Sequence, residues 1–66
     1  MLSARNQFKG KVKSVKLGEV AAEVIVQVGN LEVVSMITRT SAETMGLKVG
    51  DEVTTIIKST EVLLQK

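Results

Sequence analysis

The chain has 66 residues, of which 44% are hydrophobic and only one is aromatic, and it contains neither cysteine nor histidine. This composition excludes disulfides, Cys/His zinc sites and catalysis by a cysteine or histidine, and it leaves oligomerisation as the common way for so short a chain to stabilise its core. Nine lysines and arginines against seven carboxylates give a net charge of +2, which suits a small anion better than the phosphate backbone of DNA.

The first half of the chain predicts two strands. Residues 8–17 alternate lysines with apolar or small residues, and the alternation changes parity at Ser14, which indicates a β-bulge or a strand that passes between two surfaces. The lysine row is explained better as a solvated strand face than as a phosphate-binding stripe. In residues 20–28, one face carries only small or β-branched side chains, which favours the interior of a tightly packed barrel: Val20, Ala22, Val24, Val26 and Val28.

The hairpin signal Gly29-Asn30 leads into a third strand over residues 31–38, whose two faces are both largely apolar and are therefore expected to be covered. Thr40 and Glu43 have the spacing of a capping box, and Gly46 is placed to end the short helix that they would begin.

Residues 53–58 predict a fourth strand, and residues 61–65, after the break at Ser59-Thr60, predict a short fifth one. The expected fold is an all-β, five-stranded OB-like barrel with one short helical turn between strands 3 and 4, in a single domain of residues 1–66.

An enzyme is not expected, because the carboxylates sit at turns and strand ends and no set of nucleophile, base and orienting group is present. A nucleic-acid-binding OB module is the alternative class, but Phe8 is the only side chain on which a base could stack. No apolar run reaches the length of a membrane helix and no apolar signal core is present, so a cytoplasmic protein is expected, and the lack of cysteine fits a reducing compartment.

Three segments supply hydrogen-bond donors and a cation near predicted strand ends: residues 3–7, 38–41 and 58–60. Each has a purely structural explanation, since Ser3 to Gln7 could be a terminal tail, Thr40 could only cap the helix, and Ser59-Thr60 could only form a turn. Together they match what a tetrahedral dianion needs, which is several N–H and O–H donors with one or two positive charges.

The segments SARNQFKGKV, ITRTSAETMGLKVGDEV and IIKSTEVLL, in this order, resemble the molbindin family. These are small molybdenum-pterin-binding-like (Mop) proteins, and their domain, the TOBE domain, also occurs in molybdate-responsive regulators and transporter ATPase subunits. The resemblance covers almost the whole chain. It implies an OB-like barrel that assembles as a hexamer, a trimer of dimers, and that binds molybdate or tungstate in pockets between subunits.

The resemblance also implies the site residues. The pocket at the dimer interface would use Ser3, the Ala4 backbone and Arg5, together with two hydroxyls around the helix start and a Lys-Ser pair, which correspond to Thr38, Ser41, Lys58 and Ser59. A second pocket near the oligomer axis would be built from backbone around Val20, Ala21 and Ala22. The protein would not ligate a metal directly and would need no organic cofactor.

The function that follows is storage and homeostasis of molybdate or tungstate by a homo-oligomer; the alternatives are the nucleic-acid-binding module and an accessory molybdate sensor that acts through a protein partner. A pocket of donors without a carboxylate should disfavour protonated phosphate, whereas sulfate must be excluded by size. Because a small barrel is not expected to order its own first residues, residues 1–7 should be held by a neighbouring subunit.

Overall fold

The computed structural model describes residues 4–66, which form one four-stranded antiparallel sheet and a short helix. The strands are β1 (Asn6–Leu17), β2 (Ala21–Val28), β3 (Leu31–Thr38) and β4 (Glu52–Ile57), in the spatial order β3-β2-β1-β4. Helix α1 (Arg39–Met45) joins β3 to β4, and a 3₁₀ turn (Ser59–Glu61) follows β4. No helix among the described residues is long and apolar enough to cross a membrane.

Strand β1 is shared between two ladders. Its first half pairs with β4, from Asn6 opposite Ile57 to Lys11 opposite Glu52, and its second half pairs with β2 as far as Leu17 opposite Ala22. The register shifts between Val12 and Ser14, which confirms the predicted bulge. The bulge lets one strand turn from one partner to the other, because the extra residue bends the strand and increases its twist.

The core is small and centres on β2. Ala22, Val24 and Val26 are buried with Val12, as the alternation predicted, and half-buried side chains from β3, the helix end and β4 pack against them: Ile37, Leu47 and Val53. The predicted inner face is too long at both ends, since Val20 is 80% exposed and precedes the strand, and Val28 is only half-buried.

The β2–β3 hairpin and the bounds of β3 are confirmed. Val28 lies opposite Leu31, and Gly29 alone of the two turn residues has a positive φ, 58°, as in a type II′ turn. The expectation that both faces of β3 are covered is wrong for the single chain, because Val34 is 61% and Met36 69% exposed. Strand β3 is an edge of the sheet, and within residues 4–66 no element covers its outer face.

Helix α1 begins two residues earlier than the capping-box pattern predicted. Thr38, not Thr40, is the N-cap, and its hydroxyl accepts the backbone N–H of Ser41 at 3.0 Å. Thr38 has the extended backbone that an N-cap requires, and the adjacent N–H of Arg39 is already bonded to the Val20 carbonyl at 2.8 Å, so Thr40 is drawn into the first helical turn. The helix ends at Gly46 in the left-handed region, as predicted.

The predicted fifth strand over residues 61–65 is not formed in the single chain, and the barrel is not closed. After β4 the chain bonds to itself, with the N–H of Glu61 donating to the Lys58 carbonyl at 2.9 Å and that of Val62 to the Ser59 carbonyl at 3.3 Å. Beyond this turn, Leu63 is 91% and Leu64 95% exposed. The edge strands β3 and β4 are therefore left apart, with a cavity of about 620 Å³ between them, which we call the β3–β4 opening.

Candidate oxyanion-binding site

Two cations meet at one end of the β1–β4 ladder. The last pair of this ladder is Asn6 opposite Ile57, so the antiparallel register brings the preceding Arg5 and the following Lys58 to the same end. Both side chains are exposed. Among residues 4–66 the ion pairs are Lys13–Glu32 and Arg39–Glu43, which leaves Arg5 and Lys58 without a carboxylate partner there. Two like charges placed side by side attract an anion.

Ala4 and Ser59 belong to the same end. The Ala4 carbonyl accepts a hydrogen bond from Gln7 Nε2 at 2.8 Å, which fixes the backbone just before β1. Ser59 begins the 3₁₀ turn with an exposed side chain. Ser3, the remaining predicted member of this group, lies outside the described residues. We call Ala4, Arg5, Lys58 and Ser59 the cationic set.

The predicted hydroxyls of Thr38 and Ser41 are bonded to each other. The backbone N–H of Ser41 donates to Thr38 Oγ1, with 3.0 Å between the nitrogen and the oxygen. Thr38 Oγ1 in turn donates to Ser41 Oγ at 2.8 Å. The Thr38 hydroxyl is thereby satisfied within the chain, whereas the proton of the Ser41 hydroxyl remains available to an acceptor outside. The helix offers fewer free backbone donors than the sequence predicted, because the N–H groups of Arg39 and Ser41 are both engaged.

The segment Val20, Ala21 and Ala22 lies beside these hydroxyls, since Ala21 pairs with Thr38 across the β2–β3 ladder. Its carbonyls are occupied: that of Val20 accepts the Arg39 N–H at 2.8 Å and that of Ala21 accepts the Gly18 N–H at 2.7 Å. Ala22 is completely buried, so only the exposed start of the segment can meet a ligand. We call Thr38 and Ser41 the hydroxyl set, which does not include the neighbouring segment.

The cationic set and the hydroxyl set lie at opposite ends of β1. The cationic set adjoins Asn6. The hydroxyl set lies near Leu17, because Thr38 pairs with Ala21 and the adjacent Ala22 pairs with Leu17. One chain brings together Arg5 with Lys58 and Thr38 with Ser41. Among residues 4–66, no side-chain hydrogen bond or ion pair joins the two sets.

Arg39 is the cation of the predicted 38–41 segment, and it was not predicted to be a site residue by itself. Its guanidinium Nη1 donates to the Gly18 carbonyl at 3.2 Å, and its Nε lies 3.6 Å from Glu43 Oε2. Arg39 thus ties the turn between β1 and β2 to the start of α1. The spacing of Arg39 and Glu43, four residues apart on a predicted helix, was the available signal.

Residues 4–66 contain no group of three or more His, Cys, Asp or Glu side chains that could hold a metal ion. The side chains of the cationic set and the hydroxyl set that carry polar groups are cations and hydroxyls. Such groups can neutralise and hydrogen-bond an anion.

Known proteins resemble this chain along its whole length. The TOBE domain matches residues 2–64, and molybdenum-pterin-binding protein 3 of Clostridium pasteurianum is 50% identical over 64 residues, covering 96% of this chain and 94% of that relative. The structure of MopII from Clostridium pasteurianum superposes with a TM-score of 0.93 at 43% identity, covering 100% of both chains. A molybdate-binding protein from Sporomusa ovata gives a TM-score of 0.96 at 33% identity, covering 100% of this chain and 98% of that one. The chain therefore belongs to the TOBE-domain family and, within it, to the molbindins.

Proposed function

We propose that this protein binds molybdate, or the chemically similar tungstate, and stores it in the cytoplasm. The observation that carries the proposal is the pair of exposed cations, Arg5 and Lys58, which the β1–β4 register brings together without a carboxylate partner among residues 4–66. The molybdate-binding protein from Sporomusa ovata, which has the same fold, supports the identity of the anion. The absence of cysteine is in keeping with a reducing compartment.

In the proposed pocket, Arg5 and Lys58 supply positive charge, and the hydroxyls of Ser3, Thr38, Ser41 and Ser59 with nearby backbone N–H groups surround the four oxygens. The Ser41 hydroxyl is well suited to this role, because it already accepts a bond from Thr38 and directs its own proton elsewhere. The exposed start of the Val20–Ala22 segment is proposed as part of a second pocket. The reaction at both pockets is reversible binding, without covalent chemistry or an organic cofactor.

We propose that the pocket forms between chains, with the cationic set at the start of β1 and the hydroxyl set near its end supplied by different subunits. We propose that the cationic set of one subunit meets the hydroxyl set of another in a hexamer, a trimer of dimers. The five-stranded closed barrel belongs to this assembled form.

Calorimetric titration with molybdate, tungstate and sulfate tests the proposed function. We expect the first two anions to bind and sulfate to bind at least tenfold more weakly, and we expect the double variant Arg5→Ala/Lys58→Ala to lose most of the molybdate affinity. The variant Lys9→Ala/Lys11→Ala removes the same charge from exposed positions within β1 and should bind as the wild type does. Equal affinity for all three anions, or equal losses in the two double variants, would contradict the proposal.

A further inference from the structure

We propose that Arg39 is a positioning residue for the proposed oxyanion pocket. Its guanidinium fixes the start of α1 against the turn between β1 and β2, so that the Ser41 hydroxyl keeps the direction in which it donates to the anion. This role rests on the proposed function and deepens it, because it names a residue that acts on the anion through another side chain.

Helix α1 has little stability of its own. It has seven residues, and among them only Ala42 is buried. A helix shorter than about 12 residues is marginal in water and depends on contacts with the rest of the fold. The direction of α1, and with it that of the Ser41 side chain, therefore depends on the groups that attach its first turn to the sheet.

Preferences within the helix do not account for an arginine at position 39. Arg39 is a cation at the first helical position, where the positive end of the helix dipole disfavours a positive charge. Its pairing with Glu43 four residues later has the less favourable order, since the better arrangement has the acidic residue first. The contact that explains Arg39 lies outside the helix.

This outside contact joins α1 to a tightly closed turn. The backbone N–H of Arg39 donates to the Val20 carbonyl at 2.8 Å, and its Nη1 donates to the Gly18 carbonyl at 3.2 Å. The Gly18 N–H donates to the Ala21 carbonyl at 2.7 Å, and a Cβ atom at Gly18 would lie 2.9 Å from the same oxygen. Two attachment points, one on the backbone and one at the end of the side chain, restrict both the position and the rotation of the first helical turn.

Ser41 is the side chain whose direction this attachment determines. Its backbone N–H donates to Thr38 Oγ1 at 3.0 Å and its Oγ accepts from Thr38 Oγ1 at 2.8 Å, which leaves its own proton for an acceptor outside the chain. Ser41 follows Arg39 by two residues in the same helical turn. A rotation of that turn would therefore move the hydroxyl away from the anion.

The charge of Arg39 is already partly neutralised. Its Nε lies 3.6 Å from Glu43 Oε2, whereas Arg5 and Lys58 have no carboxylate partner within residues 4–66. A carboxylate beside the guanidinium offsets its attraction for an anion. Arg39 thus contributes direction rather than charge, which separates its role from that of the cationic set.

Calorimetric titration with molybdate tests this role. Arg39→Gln should lower the affinity about three- to tenfold, the effect of one hydrogen bond. Arg39→Lys keeps the charge but lacks the planar fork of the guanidinium, and it should bind more like Arg39→Gln than like the wild type. Wild-type affinity in either variant would overturn the proposal.

Lys16→Gln is the control for charge, because it removes one positive charge from an exposed position at the same end of β1. It should bind as the wild type does, and a loss equal to that of Arg39→Gln would overturn the proposal. Salt gives a second control, since a screened charge loses its effect whereas a direction does not. The loss in Arg39→Gln should be the same at about 0.05 and 0.5 M NaCl, and a loss that disappears at the higher concentration would contradict a positioning role.

A double-mutant cycle tests whether Arg39 acts through Ser41. Ser41→Ala should lose affinity by itself, and adding Arg39→Gln should then cost less than about twofold, because the hydroxyl that Arg39 positions is absent. An undiminished loss from Arg39→Gln in the Ser41→Ala background would overturn the proposal.

Hydrogen–deuterium exchange without any anion provides a readout that does not depend on binding. Arg39→Gln should speed exchange at the Ser41 N–H and leave residues 22–28 of β2 unchanged, and an unchanged Ser41 N–H would overturn the proposal. A wild type that binds no molybdate would overturn the proposed function and the role in the pocket with it. A wild type that binds, with Arg39→Gln binding equally well, would overturn the positioning role alone.

Discussion

At the scale of single residues, Gly10 sets how closely β1 approaches β2. A Cβ atom at this position would lie 2.5 Å from the Gln27 carbonyl oxygen and 2.8 Å from Val26 Cγ1. In an ordinary strand, alanine is favoured over glycine by about 0.5 to 1 kcal/mol. Here the backbone contact reverses that preference, because the carbonyl oxygen belongs to the neighbouring strand and cannot move without disturbing it.

We therefore expect Gly10→Ala to lower the free energy of unfolding by about 2 to 3 kcal/mol, measured by urea titration at a fixed protein concentration. Lys9→Ala, the neighbouring exposed position in the same strand, is the control and should change stability by no more than about 0.5 kcal/mol. A Gly10→Ala protein as stable as the wild type would show that β1 and β2 can separate at this point.

At the scale of elements, the start of α1 tests which threonine is the N-cap. Thr38→Val removes the hydroxyl that accepts the Ser41 N–H, and we expect a loss of about 1 kcal/mol of stability. Thr40→Val is the matched control, since the change is identical and Thr40 lies inside the helix, and it should cost less than about 0.5 kcal/mol. Thermal unfolding at matched concentration compares the two, and a larger loss in Thr40→Val would favour the capping box.

Local patterns predicted most elements. The alternation along β2, the parity change at Ser14 and the turn at Gly29 depend on side-chain direction and backbone conformation, which neighbouring residues determine. The N-cap was predicted wrongly because the Arg39 N–H pairs with Val20, a contact between residues distant in the sequence. The fifth strand could not be assessed in the same way, since residues 61–65 have strand-like composition but pair with neither edge of the sheet in the single chain.

At the scale of the whole molecule, the core is small. The fully buried apolar side chains among residues 4–66 are Val12, Ala22, Val24, Val26 and Ala42, none larger than valine. Exposed apolar side chains are larger and more numerous, and they include Met36, Leu63 and Leu64. We therefore expect folding to be coupled to association, which would bury this surface.

The expected consequence is a melting temperature that rises with protein concentration, because association stabilises only the folded chain. Scanning calorimetry over a hundredfold dilution series would show the shift, and Gly10→Ala should show the same slope at lower temperatures. A melting temperature independent of concentration would contradict coupled folding and assembly.

The candidate site was predicted as a set of residue types but not as an arrangement in space. The prediction named Arg5, Thr38, Ser41 and Lys58, because their chemistry suits an oxyanion and because the resemblance to the molbindins implied them. Their division between two ends of β1 follows from strand order, since β4 pairs with the first half of β1 and β2 with the second. Strand order depends on contacts between distant segments, and residue spacing within one segment does not determine it.

The two-ladder pairing of β1 also leads to an expected stoichiometry for the proposed pocket. Every chain carries one cationic set and one hydroxyl set, and each proposed pocket would use one of each. In any closed ring or reciprocal dimer, the number of such pockets therefore equals the number of chains, whatever the symmetry. These pockets should therefore saturate at one anion per subunit. An open-ended array of subunits would instead leave a cationic set unpaired at one end and a hydroxyl set unpaired at the other.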